Sequence, residues 1–303
     1  MTLATTRDLI GKFGAGNRAV LAFNVITLEH AEAIAAGVER AGTGAILQVS
    51  ENAIRFHDGK ISPIIAACAK VAAESSAPLS IHLDHFQDLA LTELAIDLAN
   101  DLGVSSIMVD AAHLPHGQNV RQTRELARRA HARGLWVEAE LGEIGGKDGA
   151  HSPLARTQPD EAREFVAETT VDGLAVAVGS SHAMTSQVAE LDLALIAQLA
   201  GIVPVPLVLH GSSGVGDATL VAAIAAGMRK INVGTALNIA FTGGIRRFLA
   251  TNPDVTDPRK YIRDGCESIS RTVTHLCTVL DAAAVHPRPG LPNSALLTGR
   301  GAR

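Results

Sequence analysis

The sequence predicts an α/β fold, a single (β/α)8 barrel of the TIM type with additional C-terminal helices. Eight short apolar segments alternate with helical patterns along the 303 residues. Right-handed crossovers return each strand of such a chain beside the last. The first strand runs into Asn24-Val25-Ile26-Thr27, not into the Gly-x-Gly-x-x-Gly turn that an open doubly wound sheet would place there. Most of the strand-like segments also end in His, Asp, Glu, Asn or Ser, which suits a barrel whose strand ends gather at one mouth.

The elements follow in order. A helix is expected over 3–16, closed by Gly14-Ala15-Gly16. Strand one, 19–25, reaches Asn24, and a helix over 28–40 is stopped by Gly42-Thr43-Gly44. Strand two, 45–50, presents Gln48 and Ser50, and a helix over 61–74 leads through Pro78 to strand three. Strand three, 79–86, reads Leu-Ser-Ile-His-Leu-Asp-His-Phe. Its period of two puts Ile81, Leu83 and His85 on one face, with His82 and Asp84 on the other. After a helix over 88–100, strand four, 106–110, ends in Asp110, and a helix over 118–133 stops at Gly134. Strand five, 135–141, carries Glu138 and Glu140, opens into the Gly-rich loop 142–149 and is followed by a helix over 160–169. Strand six, 174–178, runs into Gly179-Ser180-Ser181-His182, and a helix over 191–199 follows. Strand seven, 206–209, ends in His210-Gly211-Ser212-Ser213-Gly214, with a helix over 218–226 after it. Strand eight, 230–233, leads to Gly234-Thr235. The barrel is expected over about 18–251 and a helical extension over about 258–284, all in one domain, because no low-complexity linker divides residues 1–303.

Composition narrows the function classes. At 47% hydrophobic and 3% aromatic, the chain builds its core from Ala, Val, Leu and Ile. A net charge of −5 without Lys/Arg runs gives no footprint for nucleic acid. No apolar run reaches membrane-spanning length and no signal-like start is present, so a cytoplasmic protein is expected. Cys68, Cys266 and Cys277, scattered and odd in number, agree with a reducing compartment.

The barrel places Asn24, Ser50, Asp84, His85, Asp110, Glu138, Glu140, His182, His210 and Asn232 at the catalytic rim. Such a ring is costly to desolvate and, with few Lys or Arg nearby, calls for a cation. His85, His182 and His210, from strands three, six and seven, offer three imidazoles with an open fourth position, the donor set of a catalytic zinc site. The turns at 211–214 and 234–235 follow strands seven and eight, where barrels bind phosphate. Their small residues let backbone N–H groups converge on an anion, and Ser213 and Thr235 add hydroxyl donors.

These motifs resemble the class II, zinc-dependent ketose-bisphosphate aldolases, the fructose- and tagatose-bisphosphate aldolase family. The matching runs are Ala22-Phe23-Asn24-Val25, His82-Leu83-Asp84-His85, Ile107-Met108-Val109-Asp110 and Val137-Glu138-Ala139-Glu140-Leu141-Gly142. Val178-Gly179 with His182, His210-Gly211 with Ser213-Gly214, Lys230-Ile231-Asn232-Val233 and Asp257-Pro258-Arg259-Lys260 complete them. The resemblance implies zinc on His85, His182 and His210, with Asp84 as acid/base and Asp110 and Glu140 at an alternative or second divalent position. It implies substrate contacts from Asn24 and Asn232, with Ser50 beside them at the rim, and a phosphate site around Gly179, Gly211, Ser213, Gly234 and Thr235 that has room for a monovalent cation. Asp148 is the candidate second acid and Arg259 the candidate for a second phosphate. The implied reaction cleaves a ketose phosphate to dihydroxyacetone phosphate and an aldehyde through a metal-stabilised enediolate, in a homodimer or homotetramer.

The chain departs from the family pattern in Gly179-Ser180-Ser181-His182-Ala183, in Gly211-Ser212-Ser213-Gly214, in Ala236, and in Gly146-Lys147-Asp148-Gly149. These departures bear on phosphate grip, the second proton transfer and substrate choice, and leave as alternatives an aldolase for another ketose 1-phosphate or a non-catalytic phosphosugar-binding homologue. A zinc hydrolase has no use for the phosphate turns. A non-catalytic phosphosugar binder has no use for Asp84.

Overall fold

The computed structural model describes residues 3–13, 18–141, 156–180 and 189–285. Eight parallel strands close in sequence order, β1 pairing with both β2 and β8. The chain begins with α1 (Thr6–Phe13), β1 (Val20–Asn24), α2 (Leu28–Ala41), β2 (Ala45–Ser50), α3 (Glu51–Phe56) and α4 (Ile61–Glu74). It continues through β3 (Leu79–Phe86), α5 (Leu89–Leu98), β4 (Ser106–Val109), α6 (His116–His131), β5 (Trp136–Glu140) and α7 (Pro159–Thr169). Then come β6 (Gly173–Ala175), α8 (Leu193–Ile202), β7 (Leu207–Leu209), α9 (Asp217–Ala226), β8 (Met228–Val233), α10 (Thr235–Thr251) and α11 (Pro258–Val285).

The period of two along the strands divides two apolar clusters. Leu21, Phe23, Leu47, Ile81, Leu83, Ile107, Val137 and Ile231 point outward and pack under the helices in the larger cluster. Val20, Ala22, Ile46, Met108, Trp136, Ala175 and Val208 point inward and fill the lower barrel. Leu9 and Ile10 of α1 join this inner cluster, so α1 plugs the bottom of the barrel. Thr6 anchors the plug, its hydroxyl lying 2.6 Å from Ser106 Oγ and 3.0 Å from Ser80 Oγ. Ionisable inward positions lie above this floor, where the lower barrel carries only apolar side chains and the serine and threonine hydroxyls that seat α1.

The helical extension is seated on the barrel through α2. A Cβ at Gly37 would lie 2.7 Å from Ser270 O and from Val273 Cβ, so only glycine lets α2 and α11 approach this closely. Thr274 Oγ1 donates to Gly37 O at 3.0 Å across the same contact.

The structure adds α3, absent from the sequence reading, directly after β2, with Ser50 Oγ accepting from Ala53 N as its N-cap. The sixth strand is shorter than the expected 174–178, ending at Ala175.

Candidate active site

Inward positions of the upper strands carry Asn24, Gln48, Asp84, Glu138, Glu140, Lys230 and Asn232 in successive polar layers, each buried or nearly so. His85 breaks the alternation. It follows Asp84 directly and by its period belongs with Ile81 and Leu83 on the outer face. Its φ of +51° and the register shift between Leu83 and Phe86 bring it back over the mouth instead. A bulge of this kind re-aims a side chain at a strand end, and histidine is among the residues that tolerate the left-handed region.

Over the mouth, the His85 ring lies 4.7 Å from that of His210 at an interplanar angle of 65°. His85, Glu140 and His210 each offer a ligand atom, and the three atoms lie within 4.8 Å of one another. Each imidazole is oriented by a carboxylate. His85 donates from Nδ1 to Asp110 Oδ2 at 2.9 Å, an oxygen that also accepts from Gln87 Nε2 at 2.9 Å. His210 donates from Nε2 to Glu138 Oε1 at 2.9 Å, leaving Nδ1 on the side of Glu140, 3.9 Å from its Oε2. Carboxylates behind imidazole ligands are a recurrent feature of metal centres, and an N/N/O donor set with open positions suits zinc. The residues present therefore fit a divalent metal.

Glu138 lies one layer beneath this cluster and answers a second buried charge. Lys230 Nζ donates to Glu138 Oε2 and to Asn232 Oδ1, both at 2.7 Å. The rim was read as short of Lys and Arg, and this is the correction. Lys230 takes an inward position of β8 and is fully buried. Lys230 stands among the causes that hold the Glu138 carboxyl far below its usual range against the opposing effect of burial.

Asp84 is gripped from both sides. Asn24 Nδ2 donates to its Oδ2 at 3.1 Å and Asn232 Nδ2 to its Oδ1 at 3.3 Å. Gln48 Nε2 in turn donates to Asn24 Oδ1 at 2.8 Å. Burial opposes ionisation of Asp84, but His85, His82, Lys230 and His210 outweigh it and hold the carboxyl below its ordinary value. For His85 burial acts to lower the pKa, and Asp84, Asp110 and Glu140 raise it to about 10. Three carboxylates thus converge on the His85 ring and favour positive charge there. His82, beneath, is lowered to about 3 by burial and by Lys230, with Nδ1 against Ser106 Oγ at 2.9 Å.

A cavity of about 490 Å³ opens over these groups, lined by Asn24, Ser50, Asp84, His85, Gly211, Ser213, Asn232, Gly234 and Thr235 among others. Gly211, at φ +67°, starts the turn Ser212–Gly214, and Gly234 precedes α10, whose N-terminus faces the same cavity. Ser213 Oγ accepts from Ala236 N at 3.0 Å and ties the two turns together. Ser180, which the sequence marks only as part of a run that departs from the family pattern, donates to His210 O at 2.6 Å and fixes the backbone there. Gly179 lies after β6 at φ +114°, where a Cβ would collide with Glu190 O. His182 and Asp148 lie outside the described residues. Arg259 is not drawn into the mouth. It is exposed at the start of α11, forked onto Asp257 at 2.9–3.2 Å, and lines a separate depression with Phe248, Lys260 and Arg263.

Residues 4–284 match the profile of the fructose-bisphosphate aldolase class-II family. This chain belongs to that family. A fructose-bisphosphate aldolase of Geobacillus stearothermophilus is 37% identical over 278 residues, covering 90% of this chain and 95% of the relative. One from Giardia intestinalis is 35% identical over 296 residues, covering 89% and 90%. Among solved structures, the YdjI aldolase of Escherichia coli K12 superposes with a TM-score of 0.77 at 27% identity, over 92% of this chain and 97% of its own. The aldolase reading of the sequence and the barrel fold are thereby shown. The enzyme is a carbon–carbon lyase of carbohydrate metabolism.

Proposed function

We propose that this aldolase is zinc-dependent and reversibly cleaves a ketose 1,6-bisphosphate, of fructose or tagatose, to dihydroxyacetone phosphate and an aldehyde. The observation that carries the reading is the convergence of His85, Glu140 and His210 beside an ionised Asp84, under a cavity bounded by two phosphate-type turns. His85 and His210 are assigned to the metal together with His182, and Glu140 and Asp110 to the alternative or second divalent position. A zinc ion held there supplies Lewis acidity toward the substrate carbonyl.

The chain's own residues do the rest. Asp84, kept ionised, accepts the proton of the C4 hydroxyl as the C3–C4 bond breaks. Its electron pair stays with the three-carbon half, which then needs a proton, and Asp148 is assigned to that transfer. Asn24 and Asn232 hold Asp84 in place, and they and Ser50 face the substrate. The N–H groups at Gly211–Gly214 and the α10 N-terminus, with Gly179, Ser213 and Thr235, bind the phosphate nearer the metal, with a monovalent cation alongside.

A second phosphate needs a cation from elsewhere. Arg259, exposed and turned away from its own cavity, meets that need from a neighbouring subunit of a homodimer or homotetramer. Among the described residues no helix is long and apolar enough to cross a membrane, and Cys68, Cys266 and Cys277 are all free thiols, which supports a cytoplasmic enzyme. The deciding experiment is an aldol-cleavage screen of ketose mono- and bisphosphates with zinc content measured alongside. Cleavage that tracks zinc and favours a bisphosphate supports the reading, and cleavage by metal-free protein removes it.

A further inference from the structure

Lys230 lies beneath the cavity without lining it, yet its ammonium meets both halves of the site. One of its hydrogen bonds goes to Glu138 Oε2 and another to Asn232 Oδ1, each 2.7 Å long, in a fully buried setting. The two contacts have different consequences. Lys230 occupies Glu138 Oε2, so Oε1 is the oxygen turned to His210, meeting the ring at Nε2, 2.9 Å away, while Nδ1 faces Glu140 in the cluster. At Asn232 the ammonium can only donate, so it selects the carboxamide orientation whose oxygen faces down. That orientation points Nδ2 at Asp84 Oδ1, 3.3 Å away. An amide turned the other way would set its NH2 against an ammonium and its oxygen against a carboxylate.

We propose that Lys230 is a positioning residue for the aldol reaction, setting the ring of His210 through Glu138 and the orientation of Asn232, and through it Asp84. The assignment rests on the reading of His210 as a metal ligand and Asp84 as the proton-transfer group. Lys230 touches no reacting atom in this scheme. Asn24 has its own support from Gln48, so loss of Lys230 removes one of the two amides that grip Asp84 and leaves the other.

Cobalt-substituted protein separates the two effects, because visible absorption reports the metal's coordination while kcat at saturating metal reports Asp84. Lys230→Met leaves Glu138 as an unpaired buried charge. The double variant Lys230→Met/Glu138→Gln removes that charge and keeps a carbonyl oxygen to accept from His210 Nε2. The single variant should bind Co(II) about 10- to 100-fold more weakly and turn over more slowly. The double variant should regain Co(II) affinity and the native absorption spectrum while its kcat stays about tenfold or more below the native value, on the scale of a small misplacement of a reacting group.

The inference is overturned if folded Lys230→Met matches the native protein in Co(II) affinity and kcat, or if the double variant recovers both. Failure of both variants to fold would make Lys230 structural and overturn it as well. His210→Ala and Asp84→Ala, run in parallel, keep the two readings apart. Native metal binding in the first or native turnover in the second breaks the parent assignment whatever Lys230 does.

Discussion

The Nδ1 of His85 lies 2.9 Å from Oδ2 of Asp110, at the end of the neighbouring strand. This bond holds a ring whose backbone is in the left-handed region and which strand alternation alone would send to the outer face. Without Asp110 the imidazole loses its anchor and the metal its aligned donor. Asp110→Ala should weaken zinc binding about 10- to 100-fold, measured by competition with a chromophoric chelator. If zinc affinity is unchanged, Asp110 is not orienting a ligand.

The metal assignment is tested by single substitutions and by chelation. His210→Ala and His182→Ala should each abolish stoichiometric zinc and nearly all turnover, whereas Glu140→Gln should retain zinc with a smaller loss of affinity. Activity removed by a chelator should return when zinc is added back. Full zinc occupancy in His182→Ala, together with its loss in Glu140→Gln, would move the third ligand from His182 to Glu140, the set that converges in the structure.

Asp84 accepts from Asn24 and Asn232 and is assigned to move a proton. Asp84→Asn should keep the fold and the metal while kcat falls about 10²- to 10⁴-fold. A protein that loses zinc and melts early on this change would show that Asp84 supports the site structurally.

Much of the fold was legible because a barrel repeats one simple pattern. Strand two at 45–50 and the helix at 61–74 were read at the residues where they occur, since apolar alternation and turn residues bound them sharply. The site was legible only where chemistry sat on the regular period. Asp84, Glu138, Glu140 and Asn232 keep that period. His85 does not, because a bulge and a positive φ redirect it. Lys230 was read only as part of a strand motif. Its significance depends on Glu138, 92 residues away, and no local pattern encodes such a pairing. Helix α3 escaped notice because six residues directly after a strand are too few to establish a helical period.

Gly234 meets Asn24 closely, a Cβ there falling 2.8 Å from Asn24 Oδ1. The φ at this glycine is −124°, so alanine is limited by space and not by backbone strain. Gly234→Ala should push the Asn24 amide away from Asp84 and lower kcat by up to about 10²-fold, with little change in melting temperature. Native kcat in this variant would mean that the Asn24–Asp84 contact does not matter for turnover.

Substrate choice turns on the second phosphate. The cavity's two turns account for one phosphate, and the described residues that line it include no Lys or Arg. Arg259 is exposed and held in a fork by Asp257, a planar donor set suited to phosphate. If a neighbouring subunit supplies it, Arg259→Ala should raise KM for a ketose 1,6-bisphosphate about 10- to 100-fold, the scale of a lost hydrogen bond between charged groups. KM for a ketose 1-phosphate should stay near its native value, since that substrate never made the contact. Lys147 lies outside the described residues, and Lys147→Ala assayed beside it tests whether that residue shares the role. Fructose 1,6-bisphosphate, tagatose 1,6-bisphosphate and a ketose 1-phosphate together decide the matter. Equal turnover of mono- and bisphosphates by the native protein, with Arg259→Ala affecting neither, would count against the bisphosphate assignment. It would favour an aldolase that takes a ketose 1-phosphate with a different aldehyde half.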